Sequence, residues 1–446
     1  MLNLCISAIA SNQGKTILTT ALLYHFKASV RPFKIGPDFI DPQFHKRVCG
    51  RDSVNLDSFI MNEEQVSWLF RHYQNEKVNI IEGVMGFYDG ENKGCSAYSV
   101  SRLLSIPTIL VLDGAGSYIT ISAVLKGLLE YKPDNTIKAV VLNNLSSKMH
   151  FALIKNQIEC DHPDVVVLGW IQKKLASLSD THLGLDLNDL NKIEKISQEV
   201  LEHIDLEKLC RVHLSIHQKA QTEKNYLLKN YPLKTYSLKS YPFPKIKQRE
   251  QKLAIVNDKN FSFLYHDNLN FLKEIFKEVV MVDSTNDEVI PFDCDVVYLC
   301  GGYVETDEAY ARHKNAKAFR DSLVKHAKTK AIYAECAGLL YLSNGVDEKK
   351  MSGILDIAFT LDRRFNRLGY YHNEQGVKGH AFHYTKPTDK SLESAFDRLS
   401  KTENGKGVYG SWSKDKVFGT YLHGMFRGNF NLLGNRFGFL PKNHTE

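Results

Sequence analysis

Two turns in this chain carry residues whose types and spacing could do chemistry. At the first, Asn12-Gln13-Gly14-Lys15-Thr16 joins an apolar run to an amphipathic stretch. Backbone N–H groups at such a turn face phosphate oxygens, a lysine neutralises the β/γ oxygens, and a threonine hydroxyl ligates Mg²⁺. Gly14, Lys15 and Thr16 are therefore candidate nucleotide-binding residues, although the full phosphate-loop spacing asks for glycine where this chain has Ile9. At the second turn, Ala334-Glu335-Cys336-Ala337-Gly338 sets a cysteine among small residues. Small flanks permit the sharp strand-to-helix elbow that exposes a nucleophile, and a helix N-terminus is expected to lower the thiol pKa. A thiol nucleophile also needs a base. His423 is the candidate, with His380 and His383 as rivals. The glycines of Cys300-Gly301-Gly302-Tyr303 could lend an oxyanion-hole N–H, with the amide of Ala337 as the second donor.

Acids lie between the two turns. Gly36-Pro37-Asp38-Phe39-Ile40-Asp41-Pro42 holds two carboxylates on a proline-braced loop, and Glu82 ends an apolar run before Gly83, Gly86, Asp89 and Gly90. Carboxylates at strand ends near a phosphate loop are where a hydrated Mg²⁺ is held. This makes Asp38, Asp41, Glu82 and Asp89 candidates for the MgATP region, with Thr16 and Glu82 the metal ligands. A nucleotide site and a thiol nucleophile together suggest one chemistry: activate a carboxylate with ATP, release ammonia from glutamine, and join the two.

The elements needed to position these residues are legible as short Val/Ile/Leu runs at 4–8, 78–81, 108–112, 139–142 and 165–168. They do not alternate, which suits a parallel sheet buried on both faces. Helical stripes such as Leu18, Leu22 and Phe26, or Leu125, Leu128 and Leu129, intervene. This is the βαβ rhythm of a doubly wound α/β fold. Prolines and charges from Tyr231-Pro232 to Arg249 mark 205–250 as a linker without packed elements. The expected organisation is thus a domain over 1–204 and another over 251–446. The second begins with strand runs at 253–256, 279–282, 296–299 and 331–333 and ends in a mixed sheet over 351–430.

Bulk properties bound the partners. A net charge of +6 over 446 residues, without a dense basic run, is no nucleic-acid footprint and better suits a small polyanion. Eight cysteines without a Cys-x-x-Cys pair argue against a zinc site and a secreted disulfide framework, and for a reducing, cytoplasmic setting. The N-terminal apolar run lacks a basic region before it, unlike a signal peptide, and no apolar stretch is long enough to span a bilayer.

The chain resembles the corrinoid amidotransferase family over nearly its whole length. The likeness rests on 36–42, Asn55-Leu-Asp-Ser-Phe-Ile-Met61, 82–90, Gly169-Trp170, His182-Leu-Gly-Leu185, 334–338, 379–384 and Tyr421-Leu-His423. The resemblance implies an N-terminal ATP-binding domain related to dethiobiotin synthetase, with a P-loop doubly wound parallel sheet. It also implies a C-terminal class I glutamine-amidotransferase-like α/β domain. Members use ATP, Mg²⁺ and L-glutamine to phosphorylate and then amidate acetate side chains of cobyrinate, a tetrapyrrole polycarboxylate. Carried over, Cys336 is the nucleophile and His423 the residue that activates it. Lys15 and Thr16 bind phosphate, and Asp38, Glu82 and Asp89, with Asp41 close by, serve the activating region. Partners would be this small molecule, with no nucleic acid and no membrane; a homodimer is left open. Amidation of another tetrapyrrole, such as nickel-sirohydrochlorin, and a nucleotide-switched binding protein with a degenerate glutaminase are the alternatives. The chain departs from the pattern at Ala8 and Asn12, where glycine is common, and at Met425, where many class I triads carry a glutamate two residues after the histidine.

Overall fold

Strands buried on both faces need helices above and below, and the first half of the chain supplies them in alternation. The computed structural model describes residues 1–175, 190–212 and 241–438, in two units, Met1–Pro242 and Phe243–Glu446. In the first unit the order is β1 (Leu2–Ala8), α1 (Lys15–His25), β2 (Val30–Ile35), α2 (Ile40–Cys49), β3 (Val54–Leu56), α3 (Glu63–Tyr73) and β4 (Val78–Glu82). It continues with α4 (Ala97–Leu104), β5 (Thr108–Asp113), α5 (Ile119–Tyr131), β6 (Ile137–Leu145), α6 (Lys148–Asp161), β7 (Val166–Gln172) and α7 (Leu190–Leu201). Among the described residues these strands form one parallel sheet in the order β3-β2-β4-β1-β5-β6-β7. The chain winds one way from β1 and the other way after β4. The crevice at the carboxyl ends of these two neighbours is therefore the switch point where open α/β sheets bind ligands.

Strands β2 and β3 carry no long apolar run, and Pro32 argues against a central strand. The structure accommodates it because β3 pairs only with 33–35, leaving Pro32 where β2 is still an edge. One face of the sheet buries Leu4, Ile6, Ile80 and Ile109 against Leu18 and Leu22 of α1 and Ile193, Ile196 and Val200 of α7. The expectation of an unpacked stretch from 205 fails at its start: 206–212 is helical, and Leu209 and Val212 join this core. The rest of that stretch up to 240, and the motif at 182–185, lie outside the described residues.

The second unit is also built on parallel strands, β8 (Arg249–Val256), β9 (Phe276–Val282), β10 (Val296–Leu299) and β11 (Ala331–Glu335), joined by Val417–Thr420. Beyond that strand the sheet turns antiparallel through Val408–Lys414, Asp397–Ser400, Arg367–Asn373 and Lys378–His383, ending at His423–Gly424. A mixed sheet in this region is what its Gly-, His- and Tyr-rich sequence led us to expect. The result is an α/β unit whose parallel strands β10 and β11 and the strand Val417–Thr420 all end at one rim.

Candidate active sites

The first site grows from the turn after β1. Gly14 caps α1 in the left-handed region, φ 94°, and a Cβ there would lie 2.4 Å from Asn143 Nδ2, so only glycine fits. Asn12 also has positive φ, 61°, and so takes the backbone conformation for which glycine is usually chosen. Lys15 Nζ donates to the carbonyls of Ala10 and Met85, 2.7 Å each, and bridges the turns after β1 and β4. Burial, then the nearby Lys34, lowers its pKa.

Thr16 Oγ1 donates to Glu82 Oε1 at 2.9 Å, and Glu82 is fully buried. Two residues that sequence reasoning missed complete this cluster. His45 Nε2 lies 2.7 Å from Glu82 Oε2, while its Nδ1 meets Ser53 Oγ at 3.1 Å. Lys34 Nζ, at the buried end of β2, contacts Asp41, Asp38 Oδ2 (3.6 Å) and Glu82 Oε1 (3.4 Å). The signals were there: His45 follows Asp41 by four residues on one helix face, and Lys34 is the penultimate residue of its strand, two before Gly36. Asn55, from β3, holds the acidic loop by donating to the carbonyls of Gly36 (2.9 Å) and Asp38 (2.6 Å).

One ammonium faces three carboxylates here, and burial and the charges around them together set the protonation. Burial alone would raise the Glu82 carboxyl, but Lys34, His45 and Thr16 together hold it below its ordinary range. Asp41 takes the strain instead: burial, then the Glu82 charge, pushes it up against the pull of Lys34. Lys34 is driven upward and stays an ammonium, because the acids outweigh its own burial. Asp89 sits apart from this contact set. Its carboxylate accepts the Gly86 N–H at 2.7 Å and fastens the turn after β4, near enough to Lys15 to favour its charge.

The second site gathers at the rim of the other sheet. Cys336 stands between β11 and the helix Ala337–Leu342 with φ 44° and ψ −100°, a strained conformation for a residue with a Cβ. The elbow fits because Gly338 packs on β10, where a Cβ would come 2.6 Å from the Leu299 carbonyl. The Ala337 N–H faces the Cys336 sulfur. The expected lowering of the thiol pKa does not follow. Cys336 is only 6% exposed, and burial, then the Glu305 charge, pushes its pKa well up. A short helix end cannot offset the loss of water around a thiolate.

His423 lies at this rim, its ring stacked on Phe263 with centroids 4.0 Å apart. The Nδ1 atom is 3.5 Å from Glu335 Oε2, and both side chains are 2% exposed. Of the rival histidines, His383 has Nδ1 on the Thr385 carbonyl at 2.8 Å, its ring stacks on Tyr421, and burial then Arg367 push its pKa down to about 3. His380 is the strand partner of His423. Gly301 accepts the Phe263 N–H through its carbonyl at 2.9 Å and leaves room for the His423 ring.

Residues 252–430 match the family of CobB/CobQ-like glutamine amidotransferase domains. A domain of that family on a chain that begins with a parallel α/β sheet defines a glutamine-dependent amide ligase. Curated relatives span the whole chain. A protein named cobyrinate a,c-diamide synthase from Listeria monocytogenes is 30% identical, covering 99% of this chain and 100% of its own. One of the same name from Fusobacterium nucleatum is 32% identical over 96% and 98%, and one from Methanococcus maripaludis is 31% identical over 96% and 98%. The chain belongs to the cobyrinate a,c-diamide synthase family. No helix among the described residues is long and apolar enough to cross a membrane.

Proposed function

We propose that this protein uses ATP and glutamine to amidate the a- and c-acetate carboxylates of cobyrinate, with 1–204 as the synthetase domain and 251–446 as the glutaminase. The observation that carries this reading is the pairing of a glutamine amidotransferase domain with a switch-point site of two lysines and three carboxylates. Such a site suits anions brought together for reaction. In the proposed step an acetate oxygen attacks the γ-phosphorus of ATP, ADP leaves, and an acyl phosphate remains. Lys15 and Lys34 offset the charge that gathers on the transferring group. Ammonia then attacks the acyl carbon and phosphate leaves.

Among the described residues no three His, Cys, Asp or Glu side chains form a metal cage. Mg²⁺ needs only one or two protein oxygens when phosphate and water complete its shell. Thr16 and Glu82 fit that requirement, and the Asp38 and Asp41 carboxylates gathered on Lys34 beside them add negative charge. Bound there, Mg²⁺ would supply charge neutralisation for the phosphates.

The test is incubation with cobyrinate, glutamine and MgATP, followed by mass spectrometry of the corrinoid. Two acid-to-amide conversions, dependent on ATP, are expected. Amidation of nickel-sirohydrochlorin with cobyrinate untouched would move the substrate. ATP binding without any glutamine turnover would replace the ligase with a nucleotide switch.

A further inference from the structure

We propose that Glu335 is the acid of the glutaminase site, a positioning residue that orients the His423 imidazole. This rests on the reading of Cys336 and His423 as nucleophile and base. The position two residues after the histidine is filled by Met425, which is buried and apolar, so the acid must come from elsewhere. Glu335 immediately precedes the nucleophile, and its Oε2 is 3.5 Å from His423 Nδ1.

The carboxylate is itself held in place. Tyr298 OH donates to Oε2 at 2.9 Å, while Tyr333 OH and the Gly424 N–H donate to Oε1 at 3.1 and 3.3 Å. The His423 ring is confined by Phe263 on one face and by Gly301, where a Cβ would come 2.3 Å from Cε1. His423 Nδ1 is buried and makes no hydrogen bond among the described residues, and Glu335 Oε2 is the carboxylate oxygen set beside it. A ring so confined keeps Nδ1 toward Glu335 and assigns Nε2 the role of proton acceptor. The reaction then balances. The Cys336 proton passes to His423 as sulfur bonds to the glutamine amide carbon, and His423 returns it to the departing ammonia. Water, deprotonated by His423, next attacks the thioester; the carbon–sulfur bond breaks, glutamate leaves, and His423 returns the proton to the Cys336 sulfur. The imidazolium formed in the first half is the species a neighbouring carboxylate stabilises. The raised resting pKa of Cys336 makes that help more necessary, because the proton must be taken from a thiol that holds it firmly.

A purely structural role is the competing reading, since Glu335 also ties Tyr298 of β10 and Tyr333 of β11 to Gly424. The readings separate in Glu335→Gln, which keeps a carbonyl acceptor and loses the charge. Glutamine hydrolysis by the full-length protein should fall about 100-fold in kcat, with KM nearly unchanged. Glu335→Asp should recover part of the loss. Amidation supported by free ammonia, which bypasses this site, reports on folding. A Glu335→Gln protein within twofold of the parent kcat overturns the proposal. If that variant loses ammonia-supported turnover too, Tyr298→Phe and Tyr333→Phe decide: lower glutaminase kcat with ammonia turnover kept supports the proposal, and an unchanged kcat overturns it. Glutamine hydrolysis surviving in Cys336→Ser would instead sink the reading of the nucleophile, whatever the Glu335 variants do.

Discussion

At Gly301 any side chain would be felt directly by His423. The Cβ of alanine would lie 2.3 Å from His423 Cε1 and 3.2 Å from Phe263 Cβ, so the ring must leave its slot. Gly301→Ala should therefore lower glutamine-dependent turnover by about 100-fold, the size of loss a misplaced catalytic group brings. Ammonia-supported amidation is the measurement that separates this from unfolding. Residues of this kind differ in how far their neighbours announce them. Lys15, Thr16 and Cys336 stand in turns whose local spacing already states a chemistry. Glu335 does not, although it sits beside Cys336. Side chains next to each other on a strand point to opposite faces, and only the elbow at Cys336, with φ 44°, undoes that alternation. Lys34 and His45 had weaker signals, because the contact each makes with Glu82 joins residues far apart in the chain.

At the scale of elements, the helix His266–Ile275 is what keeps the His423 segment in register. Asn268 donates to the Gly424 carbonyl and accepts the Phe426 N–H, 2.8 Å each, and so grips both sides of Met425. One residue on, buried Arg427 makes charged hydrogen bonds to Asp267 (2.9–3.1 Å) and Glu274 (2.7–2.8 Å). Arg427→Met would strand the Asp267 carboxylate in a buried place, and removing one partner of such a pair costs about 3–5 kcal/mol. Denaturant unfolding should show that loss, and Asp267→Asn placed on top should cost less than it does alone. Strands β2 and β3 were the elements least visible beforehand. Their polar residues are not surface markers: Lys34 and Asn55 point into the first site.

For the molecule as a whole, acid should act through histidines buried neutral in the second unit. Burial pushes His326 down to about 4, against a weak opposing pull from the Ala331 carbonyl, which accepts from Nε2 at 3.2 Å. A folded pKa below the unfolded one means the stability is full above about pH 6.5 and is lost as pH falls through the folded value. Urea unfolding of the parent and of His326→Leu at pH 7 and pH 4.5 isolates this group. The parent should lose, relative to the variant, on the order of 2 kcal/mol between the two.

The seclusion of Cys336 has a consequence for damage. A thiol that is covered and protonated offers little to peroxide or to an alkylating reagent, since both react with accessible thiolate. Cys160 and Cys210 are exposed, while Cys336 is buried. Brief treatment with iodoacetamide, followed by peptide mass mapping, should label those two cysteines while glutamine turnover persists. The enzyme would thus keep its sulfur chemistry through an oxidative episode that marks its surface.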